Sequence, residues 1–127
     1  MNELHSILEQ AEKEARPMLE QRERMTQGTK DDDGKLPLEL IPEEFIRAVG
    51  EVYKVGLHYG RENWKKGLTF RRMKGAMMRH MNSFYLGEDF DTKSPTQHHL
   101  AAVAFYCAAI IYFQARGRKD LDDRDIA

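Results

Sequence analysis

Carboxylate and imidazole side chains are concentrated in one short stretch of this chain. Three acids lie within four residues of one another, with histidines on either side of them. Imidazole together with carboxylate suits a transition metal such as manganese, whereas carboxylates alone suit magnesium. The stretch therefore predicts a site for a divalent metal, Mg or Mn. The candidate metal ligands are His80, Glu88, Asp89 and His99, and the candidate catalytic acids are Glu88 and Asp91.

The same stretch has a purely structural interpretation. Gly87 is a typical helix-ending residue, and acids that follow it can be solvated or can cap the next helix. His98 and His99 are adjacent, so on a helix their side chains would point about 100° apart and at most one could bind a given metal. His99 borders the most apolar stretch and is the better inward candidate, yet a histidine there is often only hydrogen-bonded. The residues alone leave both interpretations open.

A second group of residues could bind a nucleotide. The indole of Trp64 offers a flat apolar face with one donor, so that Trp64 and the amide of Asn63 could hold a purine. A core tryptophan that anchors a loop explains the same residue equally simply. A run of cations follows, which suits phosphates or a solvated helix face. The candidate substrate-binding residues are Lys35, Asn63, Trp64, Arg72 and Arg79.

The elements that must position these groups are predicted to be helices. Apolar residues recur at spacings of three and four, which predicts an all-α fold, a small helical bundle of about four main helices with a peripheral N-terminal helix. The last helix is apolar around nearly its whole circumference, which places it at the centre of the fold or in the interface of a homo-oligomer. The predicted helices run from Leu4 to about residue 27, from Pro42 to Gly60, from a Thr69 cap to Gly87, and from about Thr96 to Arg116.

Proline and glycine refine the boundaries. Pro17 should kink the first helix or break it into two, because proline removes a backbone donor and crowds the preceding turn. The segment from Lys35 to Ile41 should be extended before Pro42. We therefore divide the chain into residues 1–34, an N-terminal helix with an acidic linker, and residues 35–127, a helical domain. In the second helix, one buried face is predicted from Phe45, Val49, Val52, Val55 and Gly56.

Composition limits the partners and the compartment. The net charge is −1, so no overall field would draw the chain to long nucleic acid or to an anionic membrane. The single cysteine, Cys107, excludes an intramolecular disulfide and fits a reducing cytoplasm. The longest apolar run, from Leu100 to Phe113, is shorter than the roughly 20 residues that cross a bilayer. We expect a cytoplasmic protein whose partner is a small anion held by local cations.

An ordered series of short motifs runs along the chain from about Lys35 to Arg124. Its residues are Leu40-Ile41-Pro42, Tyr59-Gly60, Asn63-Trp64, Gly67, Arg79-His80, Gly87-Glu88-Asp89, Asp91, His98-His99-Leu100 and Leu121-Asp122-Asp123. This series resembles the phage dATP/dGTP diphosphohydrolase N-terminal domain family. The resemblance implies an all-α protein of purine deoxynucleotide metabolism, similar in theme to the MazG-like pyrophosphohydrolases. Where this family tends to carry a further histidine, the chain has Ala102.

Three functions remain open at this point. The leading hypothesis, with the resemblance included, is a metal-assisted purine (deoxy)nucleoside triphosphate pyrophosphohydrolase acting in phage nucleotide metabolism. The second is a noncatalytic nucleotide-binding protein that sequesters a nucleotide signal of host defence, because the aromatic and basic groups need no catalyst beside them. The third is a helical assembly module, which the all-round apolar last helix suggests.

Overall fold

The described part of the chain consists of helices joined by turns and loops. The computed structural model describes residues 3–26, 28 and 33–125. Four α-helices make up most of this part, and its strand-like pairing is limited to an isolated bridge between Phe90 and His98. The predicted all-α fold with four main helices is confirmed. Contacts divide the chain into two units, Met1–Leu36 and Pro37–Ala127. Residues 29–32 of the predicted acidic linker lie outside the described residues.

The first unit contains α1, which spans Glu3–Thr26 without interruption. Of the two predicted outcomes at Pro17, a kink or a break, the break does not occur, because the proline lies inside this one helix. Strong helix formers on both sides offset the loss of one backbone hydrogen bond. Side-chain contacts between residues one turn apart also stabilise this helix. The His5 Nε2 atom lies 3.1 Å from the Glu9 Oε1 atom, and the Gln10 Nε2 atom donates a hydrogen bond to the Glu14 Oε1 atom at 3.0 Å. The side chains of residues 3–22 are all exposed.

The second unit opens with a turn and then α2, Glu43–Gly56. The stretch predicted to be extended contains a 3-10 turn at Leu38–Leu40, which is followed by extended backbone angles at Ile41, directly before Pro42. A tight turn satisfies two amides locally, because Leu40 donates to Pro37 and Ile41 donates to Leu38. Pro42 is the N-cap of α2 rather than its first residue.

Only part of the predicted apolar face of α2 is buried. Val52 is buried at 8% exposure, whereas Phe45 is 50% exposed and Val55 is 37% exposed. Burial on this helix is concentrated between residues 48 and 53. The prediction of one buried face from Phe45 to Gly56 is therefore wrong at both ends, since α2 meets α4 mainly through its middle turns.

The core of the second unit lies between α3, Phe70–Tyr85, and α4, His99–Ala115. Thr69 caps α3 as predicted, with its hydroxyl accepting from the amide of Arg72 at 3.4 Å. The apolar α4 also contacts α2, which agrees with its predicted central place. Buried side chains from both helices and from the C-terminal segment form the core, namely Phe70, Met73, Ala109, Phe113 and Leu121.

One side of α4 remains open, and Ile111 there is 65% exposed. Cys107 is also exposed. The predicted homo-oligomer stays a prediction, since this face is compatible with a partner but does not identify one. Within the described ranges, no helix is both long enough and apolar enough to span a bilayer.

A C-terminal segment closes the fold against the start of α3. Leu121 belongs to the 3-10 turn Lys119–Leu121 and is buried against Gly67, where a Cβ atom would lie 2.6 Å from the Leu121 Cδ1 atom. Gly67 has a φ of +91°, which glycine adopts without strain. The carboxylate of Asp123 accepts a hydrogen bond from the amide of Arg71 at 2.9 Å. We call Gly67, Leu121 and Asp123 the C-terminal anchor.

Candidate functional site

Two histidines and one acid converge beside the packed helices. His80 comes from α3, His99 is the first residue of α4, and Asp91 lies in the loop between these helices. One ligand atom from each of the three lies within 4.8 Å of the others. We call these three residues the histidine cluster.

The loop is held in a shape that brings Asp91 to the helices. The amide of Asp91 donates to the carbonyl of Gln97, and the amide of His99 donates to the carbonyl of Asp89, both at 2.9 Å. One carboxylate oxygen of Asp91 also accepts from the amide of Lys93 at 2.9 Å. Gly87, with a φ of +102°, ends α3 and starts this loop. The loop therefore folds back on itself, which fixes the Asp91 carboxylate near both imidazoles.

Glu88 sets the orientation of His99. His99 is only 4% exposed, and its Nε2 atom lies 2.7 Å from the Glu88 Oε1 atom. A carboxylate accepts hydrogen bonds, so Nε2 carries the proton and the Nδ1 atom of neutral His99 keeps its lone pair. That atom faces the Nδ1 atom of His80 at 2.8 Å. In one arrangement, the Nδ1 atom of His80 carries a proton and donates it in a hydrogen bond to the Nδ1 atom of His99. In the other, both Nδ1 atoms coordinate one ion, and Glu88 orients His99 as an outer carboxylate orients a histidine ligand in metal sites.

The surroundings of His80 favour its neutral form. Burial lowers the pKa of His80 most, and the nearby His99 and Arg79 lower it as well. Asp91 raises this pKa, but by less than burial lowers it. An imidazole with a lowered pKa is unprotonated near neutral pH, so it can offer a lone pair to a cation.

The structure separates the acids that the sequence grouped together. Asp91 stands in the cluster, whereas Glu88 contacts His99 at the ring atom that points away from His80. The side chain of Asp89 is exposed, and this residue contributes its backbone carbonyl to the loop. His98 is the N-cap of α4, and its Nδ1 atom accepts from the amide of Leu100 at 3.0 Å. Of the adjacent histidines, His99 is thus the one that points inward, as the sequence predicted.

A cavity of about 940 Å³ adjoins the cluster. Residues from α2, α3, α4 and the intervening turns line it, among them His80 and the predicted substrate-binding pair Asn63 and Trp64. The fold therefore places one predicted metal ligand, His80, at the same cavity as the predicted substrate-binding residues Asn63 and Trp64. Its aromatic and amide lining consists of Tyr53, Tyr59, Asn63, Trp64, Gln97, Phe105, Tyr106 and Phe113.

The other predicted substrate-binding residues fall into two groups. Arg72 and Arg79 are exposed on α3 and do not line the cavity. Lys35 is exposed and belongs to the first unit, Met1–Leu36. The cations that do line the cavity are Arg61, Lys54, Lys65 and Lys66.

Trp64 packs against the core and also borders the cavity. It lies in the 3-10 turn Asn63–Lys66 and packs against the core, with ring centroids 4.9 Å from Tyr112 and 6.1 Å from Phe113. It also lines the cavity, where its ring lies 6.0 Å from that of Tyr53. Trp64 therefore anchors the turn and forms part of the cavity wall.

Sequence reasoning missed Tyr53, Gln97 and Phe105 as cavity residues. Tyr53 follows Val52 on α2, and its position next to a predicted buried residue was the one available signal. Phe105 lies in a helix that is apolar on all sides, so periodicity could not show which face borders a cavity.

Comparison with known proteins places the chain in a family. Residues 25–124 match the family described as dATP/dGTP diphosphohydrolase, N-terminal. The chain belongs to this dATP/dGTP diphosphohydrolase N-terminal family. The predicted resemblance is thereby confirmed, and the match includes the histidine cluster, the cavity and the C-terminal anchor.

A relative of this family member supports the assignment. The chain is 36% identical over 98 residues to a protein of Salmonella phage PMBT28 named dATP/dGTP diphosphohydrolase. The aligned part is 76% of this chain and 33% of that protein, so the chain spans about one third of the relative's length. No solved structure matches this member of the dATP/dGTP diphosphohydrolase N-terminal family.

Proposed function

We propose that this protein carries out the metal-assisted hydrolysis of purine deoxynucleoside triphosphates in phage nucleotide metabolism. The observation that carries the proposal is that His80 belongs to both the histidine cluster and the wall of the cavity. The candidate metal ligand His80 is therefore also part of the wall of an aromatic cavity. The family match and the name of the phage relative supply the substrate class.

The donor atoms of the cluster fit a divalent metal. Two imidazole nitrogens and one carboxylate suit a transition ion such as Mn²⁺ better than Mg²⁺, which prefers oxygen ligands. His80, Asp91 and His99 would hold the ion, and Glu88 would orient His99. Of the predicted ligands, Asp89 would have to turn inward to take part. A bound divalent ion would supply charge neutralisation for the phosphate oxygens.

The proposed reaction joins water to the α-phosphorus and breaks its bond to the oxygen that bridges to the β-phosphorus. The products are a deoxynucleoside monophosphate, pyrophosphate and one proton. That proton needs an acceptor, and Glu88 and Asp91 are the carboxylates at the cluster. The cations that would contact phosphates from inside the cavity are those that line it, namely Lys54, Arg61, Lys65 and Lys66, whereas Arg72 and Arg79 are not part of the lining.

Incubation with dATP or dGTP and either Mn²⁺ or Mg²⁺ tests the proposal. We expect deoxynucleoside monophosphate and pyrophosphate from the unmodified chain, and loss of both products in Asp91→Asn. The matched control is Asp120→Asn, a change to an exposed acid in the C-terminal 3-10 turn that pairs with Arg118. Absence of monophosphate from the unmodified chain with either metal would contradict the proposal.

A noncatalytic nucleotide-binding role is the second candidate. It is favoured by the single carboxylate in the cluster, since oxygen-rich sites are the usual holders of magnesium beside triphosphates. The cavity itself needs no catalyst to bind a nucleotide. Calorimetry that shows saturable binding, followed by recovery of unaltered nucleotide, would select this candidate over hydrolysis.

A further inference from the structure

A line of aromatic rings leads along the cavity wall from the histidine cluster. The ring of His80 lies 6.5 Å from that of Tyr106, which lies 5.2 Å from Phe105. Phe105 in turn lies 4.9 Å from Tyr53, and Tyr53 lies 6.0 Å from Trp64. All five residues line the same cavity. His80 thus lies at one end of this line of rings, and the side chains of Tyr106, Phe105 and Tyr53 separate it from Trp64 at the other end.

We infer that Tyr53 and Phe105 form the subsite that binds the purine base, with the phosphates directed toward His80. This inference rests on the proposed function, because it uses the histidine cluster to orient the nucleotide. Stacking on an aromatic side chain strengthens the binding of a base by roughly five- to 150-fold. A cavity of about 940 Å³ is large enough for a nucleotide, since binding cavities for small molecules range from roughly 300 to 1,000 Å³.

Two alanines of α4 also form part of the cavity lining. Ala102 and Ala109 are buried at 1% and 2% exposure and line the cavity, one turn before and one turn after Phe105. Ala109 also belongs to the core, so this part of the cavity wall is continuous with the core of the second unit.

Polar groups at the subsite are available for the edge of a base. Tyr53, Asn63 and Gln97 are among the residues that line the cavity, and the side chain of each makes no hydrogen bond to another residue that the structure describes. An amide side chain matches the donor and acceptor pattern of adenine. Burial raises the pKa of Tyr53, which keeps its hydroxyl protonated at neutral pH. These groups distinguish the subsite from a purely apolar cavity.

The chain contains a built-in reporter for this subsite. Trp64 is its only tryptophan and forms part of the cavity wall, so its fluorescence responds to a ligand in the cavity. The experiment titrates the full chain with dAMP, in the presence of a chelator, and repeats the titration with deoxyribose 5-phosphate, which lacks the base. We expect a saturable change with dAMP and a much weaker response to the compound without a base.

Two variants identify the residues responsible. We expect Phe105→Leu to weaken dAMP binding by at least roughly fivefold, through loss of stacking. Tyr53→Phe removes one hydroxyl and should weaken it by roughly two- to tenfold. Phe45→Leu and Tyr85→Phe are matched controls, because Phe45 is 50% exposed, Tyr85 is 76% exposed, and neither lines the cavity. Circular dichroism checks folding, and Tyr53→Phe carries the test if Phe105→Leu does not fold.

Each outcome separates this inference from the proposed function. Binding of dAMP that depends on Phe105, without hydrolysis of dATP, supports the subsite and contradicts the catalytic role. Hydrolysis with a KM that is unchanged in both Phe105→Leu and Tyr53→Phe overturns the subsite and leaves catalysis standing. Equal binding of dAMP and deoxyribose 5-phosphate also overturns it, since the base would then contribute nothing.

Discussion

The histidine cluster and the C-terminal anchor are built from the same series of family motifs, yet they use their residues in opposite ways. In the anchor, Leu121 is buried against Gly67, and the Asp123 carboxylate holds the amide of Arg71. In the cluster, two imidazoles and a carboxylate face one another with lone pairs available for a cation. The same series of motifs therefore includes residues that stabilise the fold and residues whose side chains could coordinate a metal ion.

The difference lies in the kind of atoms that meet in each region. Anchor residues make packing contacts and a hydrogen bond that join the C-terminal segment to the start of α3, so changing them should cost stability. The cluster brings two imidazole nitrogens and a carboxylate close together, and these are atom types that coordinate a metal ion. Variants of the two regions should thus separate stability from ligand affinity.

The largest effect is expected at the anchor, in Gly67→Ala. Its φ of +91° strains any other residue, and the new Cβ atom would lie 2.6 Å from Leu121 Cδ1. We expect the free energy of unfolding to fall by about 2–5 kcal/mol, measured by urea denaturation. Gly50→Ala is the control, since Gly50 lies in α2 with open space around it and should gain stability. If Gly67→Ala and the unmodified chain were equally stable, the proposed structural role of the C-terminal anchor would be contradicted.

Glu88 offers the sharpest test of the cluster. We expect Glu88→Ala to reduce Mn²⁺ affinity by roughly 10- to 100-fold, because His99 loses the partner that sets its protonated nitrogen. Glu88→Gln keeps an acceptor for that nitrogen and should fall between Glu88→Ala and the unmodified chain. Calorimetric titration with Mn²⁺ measures both variants. Unchanged affinity in both would show that Glu88 does not orient a metal ligand.

Asp123→Ala should have a smaller effect, confined to stability. It removes the carboxylate that binds an amide in the first turn of α3, which costs about 0.5–2 kcal/mol for a helix cap. Asp123→Asn keeps an acceptor and should lose less. Thermal unfolding measures the change, and Mn²⁺ affinity should stay the same. A loss of Mn²⁺ affinity without loss of stability would erase the contrast between the two regions.

The smallest effect is a pH dependence that arises in the cluster. The pKa of His80 in the folded chain is lower than its ordinary value of 6.5, mainly because of burial. Between these two pKa values, the unfolded chain therefore binds more protons than the folded chain. The contribution of His80 to the stability of the fold is complete above pH 6.5 and decreases as the pH falls below that value. Melting temperatures in a chelator should show a shallower acid-side decline in His80→Gln. An identical decline in both proteins would contradict the assignment.

Much of the fold followed from local rules that the structure respects. The cap at Thr69, the helix end near Gly87 and the inward place of His99 were predicted from residue types and spacing. The break at Pro17 was wrong, because strong helix formers on both sides carry α1 through it. Phe45 was wrongly expected to be buried, since periodicity shows which residues share a face but not how far that face is covered.

By itself, the sequence determined the helical class, the family and the set of residues that could do chemistry. Only the tertiary structure decided that Asp91 joins His80 and His99, that Glu88 acts through His99, and that a cavity lies beside them. The physical reason is distance along the chain. Helix caps and turns depend on neighbours a few residues away, whereas the cluster and the cavity depend on how three helices and a loop pack together.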